Sequence, residues 1–157
     1  MINIEMNIQV DDLTDGKVAS LLATHLAQMH KFSPAGSIHA LDNKKLQSPD
    51  LTFWSARLNG ELMGCGALKQ LNAVSAELKS MKTSHLHLRK GVAEALLAEI
   101  TLVARQRGYQ SIYLETGRHE AFLPAVSLYQ KYGFEECGPF ADYQADPHSR
   151  FFVKYLK

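Results

Sequence analysis

The sequence predicts one mixed α/β domain of about seven strands and four helices, in the order β-α-α-β-β-β-α-β-α-β-β. Three observations carry that reading. Apolar and polar residues alternate at the N-terminus, the period of two that marks a strand. Asn59-Gly60 separates two β-rich runs, the strongest short signal for a hairpin. In the second half, strand, amphipathic helix and strand recur, which is the pattern of a crossover connection.

Each element follows from its residues. Ile2, Ile4, Met6, Ile8 and Val10 alternate with Asn3, Glu5, Asn7 and Gln9, predicting a first strand over 2–10. Asp11, Asp12, Thr14 and Asp15 offer helix caps. Val18, Leu21, Leu22, His25, Leu26 and Met29 then recur at helical spacing, which predicts an amphipathic helix over 15–30. Pro34 and Gly36 end it, and a short helix over 41–46 is expected before Ser48-Pro49. Residues 51–58 and 62–71 form the hairpin strands, and 76–83 a further strand. Val92, Ala95, Leu96, Ile100, Leu102 and Val103 place a long helix over 91–107, stopped at Gly108. A strand over 111–115, a helix over 122–132, and strands over 134–137 and 151–155 complete the order.

With 157 residues, the chain suits a single domain over 1–157 with one well-developed core. Its 17 basic and 16 acidic side chains leave a net charge of +1, so no nucleic-acid partner is expected and any anion site must be local. No apolar run approaches the roughly 20 residues that span a bilayer. The first residues lack the basic and apolar regions of a signal peptide. The expectation is a cytoplasmic protein with no membrane partner. Cys65 and Cys137 sit in apolar, strand-like segments and read as buried, reduced thiols. No pair among the seven His and two Cys has zinc-ligand spacing, so no metal is expected.

The segment Leu88-Arg89-Lys90-Gly91-Val92-Ala93 lies between a strand pattern and the long helix. The first N–H groups of a helix lack internal partners, and the helix dipole adds partial positive charge there. Together they suit a phosphate. Gly91 has no Cβ to keep an anion away, and Arg89 and Lys90 add cations at the rim. The same hexapeptide also reads as an ordinary turn with a solvated basic pair.

This loop, followed by Glu94-Ala95-Leu96-Leu97, resembles the (Arg or Gln)-x-x-Gly-x-(Gly or Ala) loop and helix of the GNAT superfamily of acetyl-CoA-dependent acetyltransferases. About forty residues on, Leu128-Tyr129-Gln130-Lys131-Tyr132-Gly133-Phe134 resembles the family's Leu-Tyr-x-x-x-Gly-Phe pattern. Two motifs in order are far more specific than either alone. Segments such as His39-Ala40-Leu41-Asp42 and Gly138-Pro139-Phe140-Ala141-Asp142-Tyr143 look like one bacterial subgroup of N-acetyltransferases.

The resemblance implies acetyl-CoA as co-substrate, held by the backbone of Leu88, Arg89, Lys90, Gly91, Val92 and Ala93, with the pantetheine arm along Met81 and Thr83. It implies transfer to a primary amine of a small molecule or peptide, and a fold that often pairs as a homodimer. Two positions depart from the family. Leu88 stands where Arg or Gln is usual, and Phe122, seven residues before Tyr129, stands where many relatives carry Asn. A non-catalytic acyl-CoA-binding module and a protein lysine acetyltransferase are therefore alternatives.

By the same resemblance Tyr129 is the general acid for the departing thiolate, against an alternative role as a core tyrosine. Glu77 and Glu115 each fall on a central strand, where a carboxylate is disfavoured without a partner. Glu77 is the preferred base and Glu115 a substrate-binding residue. Equally, the pair binds an ammonium while water carries the proton, or one of them pairs with Lys79 or Arg118. Ser33 and His39 are expected on the acceptor side, with His30 and His119 bordering it. His85 and His87 decorate the loop before the cradle. Phe53 and Trp54 are expected in the core, with Trp54 also a possible pocket wall.

Overall fold

Asn59 and Gly60 both take positive φ, 51° and 82°, which makes the two-residue type I′ turn that matches strand twist. Leu58 pairs with Glu61 directly across it. The computed structural model describes residues 6–34 and 48–156. Its elements are β1 (Asn7–Val10), α1 (Lys17–Phe32), β2 (Leu51–Leu58), β3 (Glu61–Gln70), β4 (Ser75–Thr83), α2 (Val92–Gln106), β5 (Ser111–Gly117), α3 (Leu123–Lys131), β6 (Glu135–Cys137) and β7 (Ser149–Tyr155). Single 3-10 turns at His85–His87 and Glu120–Phe122 precede α2 and α3. Three α-helices stand among the described residues, not four; the short helix expected over 41–46 lies outside them.

The seven strands form one sheet in the order β1-β2-β3-β4-β5-β7-β6. Only β4 and β5 run parallel, joined by the α2 crossover, and they pair only through Ser75, Ala76 and Glu77 with Ser111, Ile112 and Tyr113. Both strands then continue without pairing to each other, so the sheet is open between them. A bulge against β3 marks the part of β4 that has left β5. Cys65 faces Lys82 while Ala67 faces Lys79, which puts Ser80 and Met81 together opposite Gly66. Ser80 takes φ 56° to accommodate the extra residue. A Cβ on Gly66 would lie 2.4 Å from the Met81 sulfur, so the glycine makes room for that side chain.

Alternation along the strands sorts the two faces. Ala76, Leu78, Ile112, Leu114 and Phe152 face α2 and α3, where Leu96, Ile100 and Val126 complete the main core. Each fully buried aliphatic side chain there contributes about 2 kcal/mol of hydrophobic free energy. On the opposite face, Phe53, Cys65 and Ala67 pack under Val18, Leu21 and Leu22 of α1. Glu77 pairs with Lys69 and Lys79 with Ala67, which puts both charged residues on this α1 face. Arg57 of β2 holds Asp11 at 3.0 Å and Asp15 at 2.9 Å, fixing the entry to α1. Cys65 is buried as expected, whereas Cys137 on the edge strand β6 is only half-buried; both are free thiols.

Candidate active site

Where the sheet opens, residues from both of its faces line one cavity of about 630 Å³. From the α2 and α3 side come Leu88, Arg89, Gly91, Val92, Ala93 and Glu94, together with Leu128 and Tyr129. Met81, Lys82 and Thr83 of β4 form the sheet edge, and His25, Gln28, Met29 and Phe32 of α1 close the other side. A cavity shared in this way requires the gap between β4 and β5.

One end of it is the loop before α2. Arg89 and Gly91 take positive φ, 63° and 80°, and Val92 begins the helix. The two left-handed residues turn the chain into α2, whose first N–H groups lack partners inside the helix, and Gly91, Val92 and Ala93 line the cavity there. Lys90 departs from expectation: its ammonium lies 3.2 Å from His87 Nδ1, and its side chain is not part of the lining. Leu88 lines the rim, 56% exposed, and adds no polar contact. Glu94 also lines the cavity, but its carboxylate accepts from Tyr132 at 2.6 Å and pairs with Lys131 at 3.5 Å.

Tyr129 faces the cavity from α3. It is buried against Phe134, ring centroids 5.6 Å apart, and burial pushes its phenol up to about 12. Phe122 and Phe32 meet edge to face at the mouth, 6.5 Å apart, and His119 stacks on Phe32 at 4.7 Å. A Cβ on Gly117 would lie 2.4 Å from the Phe122 ring, so this glycine at the end of β5 admits the aromatic side chain.

The two strand carboxylates behave differently. Glu77 is buried, pairs with Lys79 at 3.2 Å, and accepts from the Tyr143 hydroxyl at 2.5 Å. Lys79 also donates to the Tyr143 oxygen at 2.9 Å, closing a triad between β4 and the loop that leads into β7. Glu77, the preferred base on sequence grounds, is therefore the carboxylate held by a cation and a phenol. Glu115 lies beyond the last β4–β5 pair, on the same face as Glu77. Burial raises its carboxyl to about 7, eased by the Ser149 hydroxyl and the Lys79 charge and reinforced by Glu77 and Asp146. A buried acid that changes charge near neutrality is suited to proton transfer.

Neither Glu77 nor Glu115 lines the cavity itself; both stand beside the opening. Ser33 caps α1 through its backbone N–H to Met29 and is also outside the lining. His39 lies outside the described residues. Trp54 is buried in the core with Arg107 over its ring and does not line this cavity. Gln28, Phe32, Lys82 and Glu94 line the cavity without being expected there from sequence. The signal for α1 was present: His25, Met29 and Phe32 repeat at spacings of four and three, which is one helix face.

Replacing Tyr143 by phenylalanine removes the hydroxyl shared by Glu77 and Lys79 but keeps the ring against Phe140 and Phe151. Hydrogen bonds to charged groups contribute about 2 kcal/mol each. Urea denaturation of Tyr143→Phe is expected to show a loss of about that size, and an unchanged midpoint would refute the tie.

The acetyltransferase (GNAT) family model matches residues 19–134. The chain is 52% identical over 151 residues to YsnE, an uncharacterized N-acetyltransferase of Bacillus subtilis, covering 96% of this chain and 100% of that one. A crystal structure from Klebsiella pneumoniae, assigned as an acyl-CoA N-acyltransferase, superposes with a TM-score of 0.84 at 30% identity, covering 99% of this chain and 100% of that one. A GNAT family acetyltransferase of Elizabethkingia anophelis, crystallised with acetyl-CoA, shares the fold at a TM-score of 0.70 and 17% identity, covering 98% and 100%. The class these agree on is an acyl-transferring enzyme. The chain belongs to the GNAT acetyltransferase family.

Proposed function

We propose that this chain transfers an acetyl group from acetyl-CoA to a primary amine of a small molecule or peptide, within a complex holding both substrates. The observation that carries this reading is one cavity at the opened sheet, with Arg89 and Gly91 of the turn that begins α2, and Tyr129, all in its lining. The residues fit the co-substrate. The backbone around Arg89, Gly91, Val92 and Ala93 would hold the pyrophosphate. The unpaired edge of β4 at Met81 and Thr83 offers backbone groups to the pantetheine amides, as a sheet edge does to an added strand. Because Leu88 and Lys90 add little, the amides of the loop carry that binding.

The co-substrate supplies an activated thioester. In the transfer a C–N bond forms to the acceptor nitrogen as the C–S bond breaks. Glu115, ionised above about pH 7, takes the proton that the amine loses, directly or through water. Tyr129, protonated throughout the working range, donates to the departing sulfur. Glu77 keeps the role of ion-pair partner to Lys79.

The test follows thiol release from acetyl-CoA with a thiol-reactive dye across small amines, amino acids and peptides. Release that depends on the added amine is the expected result. Tight CoA binding by calorimetry with no release on any acceptor would instead make the chain a binding module, the reading that Leu88 and Phe122 favour. Acetylation of lysine only within folded proteins would mark a protein acetyltransferase.

A further inference from the structure

We propose that Lys82, Gln28 and His25 form an oxyanion subsite in the cavity wall, which takes a carboxylate or phosphate group of a bound substrate. The three side chains reach the same place from two elements. His25 and Gln28 lie near one another on α1, and the bulge in β4 puts Lys82 opposite Cys65 on the α1 face. All three line the cavity.

Their unmet needs point to a ligand. The Lys82 ammonium is half-buried and donates to Gln28 Oε1 at 3.1 Å. Among the described residues no carboxylate acts on it, and burial holds its pKa below the ordinary lysine range. A cation taken partly out of water without a counter-charge is costly, and a bound anion removes that cost. Beside it, His25 Nδ1 is buried without a hydrogen-bond partner. Burial, with the Lys82 charge adding to it, pushes His25 down to about 4, so the ring is neutral at pH 7. Gln28 gives its oxygen to Lys82, which leaves its amide nitrogen, a donor, for a ligand. One cation, one amide donor and one imidazole nitrogen that donates in its Nδ1–H tautomer match an oxyanion, and the Lys82 charge disfavours an ammonium.

Two sources share that chemistry: the phosphates of CoA and the carboxylate of an acceptor such as an amino acid. The inference rests on the cavity and not on turnover, so a chain that binds anions but transfers nothing would leave it standing. The test measures binding of CoA, acetyl-pantetheine and acetate to wild type, Lys82→Gln and Lys82→Arg. Calorimetry reads the first two ligands, and the His25 imidazole NMR shift reads acetate. A roughly tenfold weaker CoA complex in Lys82→Gln, with acetyl-pantetheine unchanged and Lys82→Arg near wild type, supports the subsite and makes phosphate its ligand. Unchanged CoA affinity with loss of the acetate-induced His25 shift supports it with a carboxylate as ligand. If Lys82→Gln alters neither, or weakens charged and uncharged ligands equally, the proposal is overturned.

Discussion

Tyr129→Phe is expected to lower kcat about a hundredfold while the KM for acetyl-CoA stays within twofold. Burial pushes the Tyr129 phenol up to about 12, so the proton is in place at every pH where the protein works. General acid catalysis contributes roughly 10²- to 10⁴-fold. The thiolate of CoA is already a good leaving group, which places this case at the lower end. The substitution keeps the ring that packs edge to face on Phe134. The melting temperature should therefore barely move, and loss of rate reports the hydroxyl alone. Steady-state kinetics with both substrates decides the matter; a kcat within twofold of wild type would sink the assignment. No alkaline fall in rate near pH 9 should be traceable to this residue, because its proton leaves only near pH 12.

Glu115→Gln should have the second large effect, and it acts in two directions. As the proposed base, Glu115 must be ionised, so wild-type kcat/KM should rise as the pH passes through about 7. The Gln variant should lose that rise together with about a hundredfold of rate. A Glu77→Gln variant should keep the rise, since that carboxylate is engaged by Lys79 and Tyr143. If Glu77→Gln abolishes the pH dependence and Glu115→Gln does not, the two assignments must be exchanged. Stability should change the other way. The folded pKa of Glu115 lies above its ordinary 4.5, so its contribution is fully present below pH 4.5 and is lost as the pH rises through about 7. Gln carries no charge to bury. At pH 8 the variant is expected to be more stable than wild type by about 2 kcal/mol, a difference that fades below pH 4.5. A gain in stability with a loss of rate is the mark of a group held at a cost for function.

The strands and helices were largely legible because their signals are local. The run 51–58 formed β2 as expected, since alternation and the Asn59-Gly60 turn are read by adjacent residues. The long helix was placed to within a residue at each end for the same reason. The turn that opens α2 was also legible, although the positive φ of Arg89, a residue with a Cβ, was not. Less of the site was visible. Sequence pattern marks Glu77 and Glu115 as equally odd strand carboxylates, and preference between them rests on partners far along the chain. Tyr143 reaches Glu77 from 66 positions away, and nothing near either residue announces the pairing.

Lys82, His25 and Phe32 make the same point from the other direction. On its own helix, His25 reads as one more residue on an amphipathic face. Only when the bulge at Ser80 turns β4 does Lys82 face α1, so that one cavity draws its walls from both sides of the sheet. Local periodicity and turn chemistry determined most of the order of elements and the tight turn that opens α2, because each depends on residues within a few positions, while two short motifs pointed to the family. Tertiary structure alone decided which carboxylate is tied up, which titrates close to neutrality, and where an ammonium lies with no carboxylate partner among the described residues. Burial and ion pairing act through space between segments that carry no record of one another in the chain.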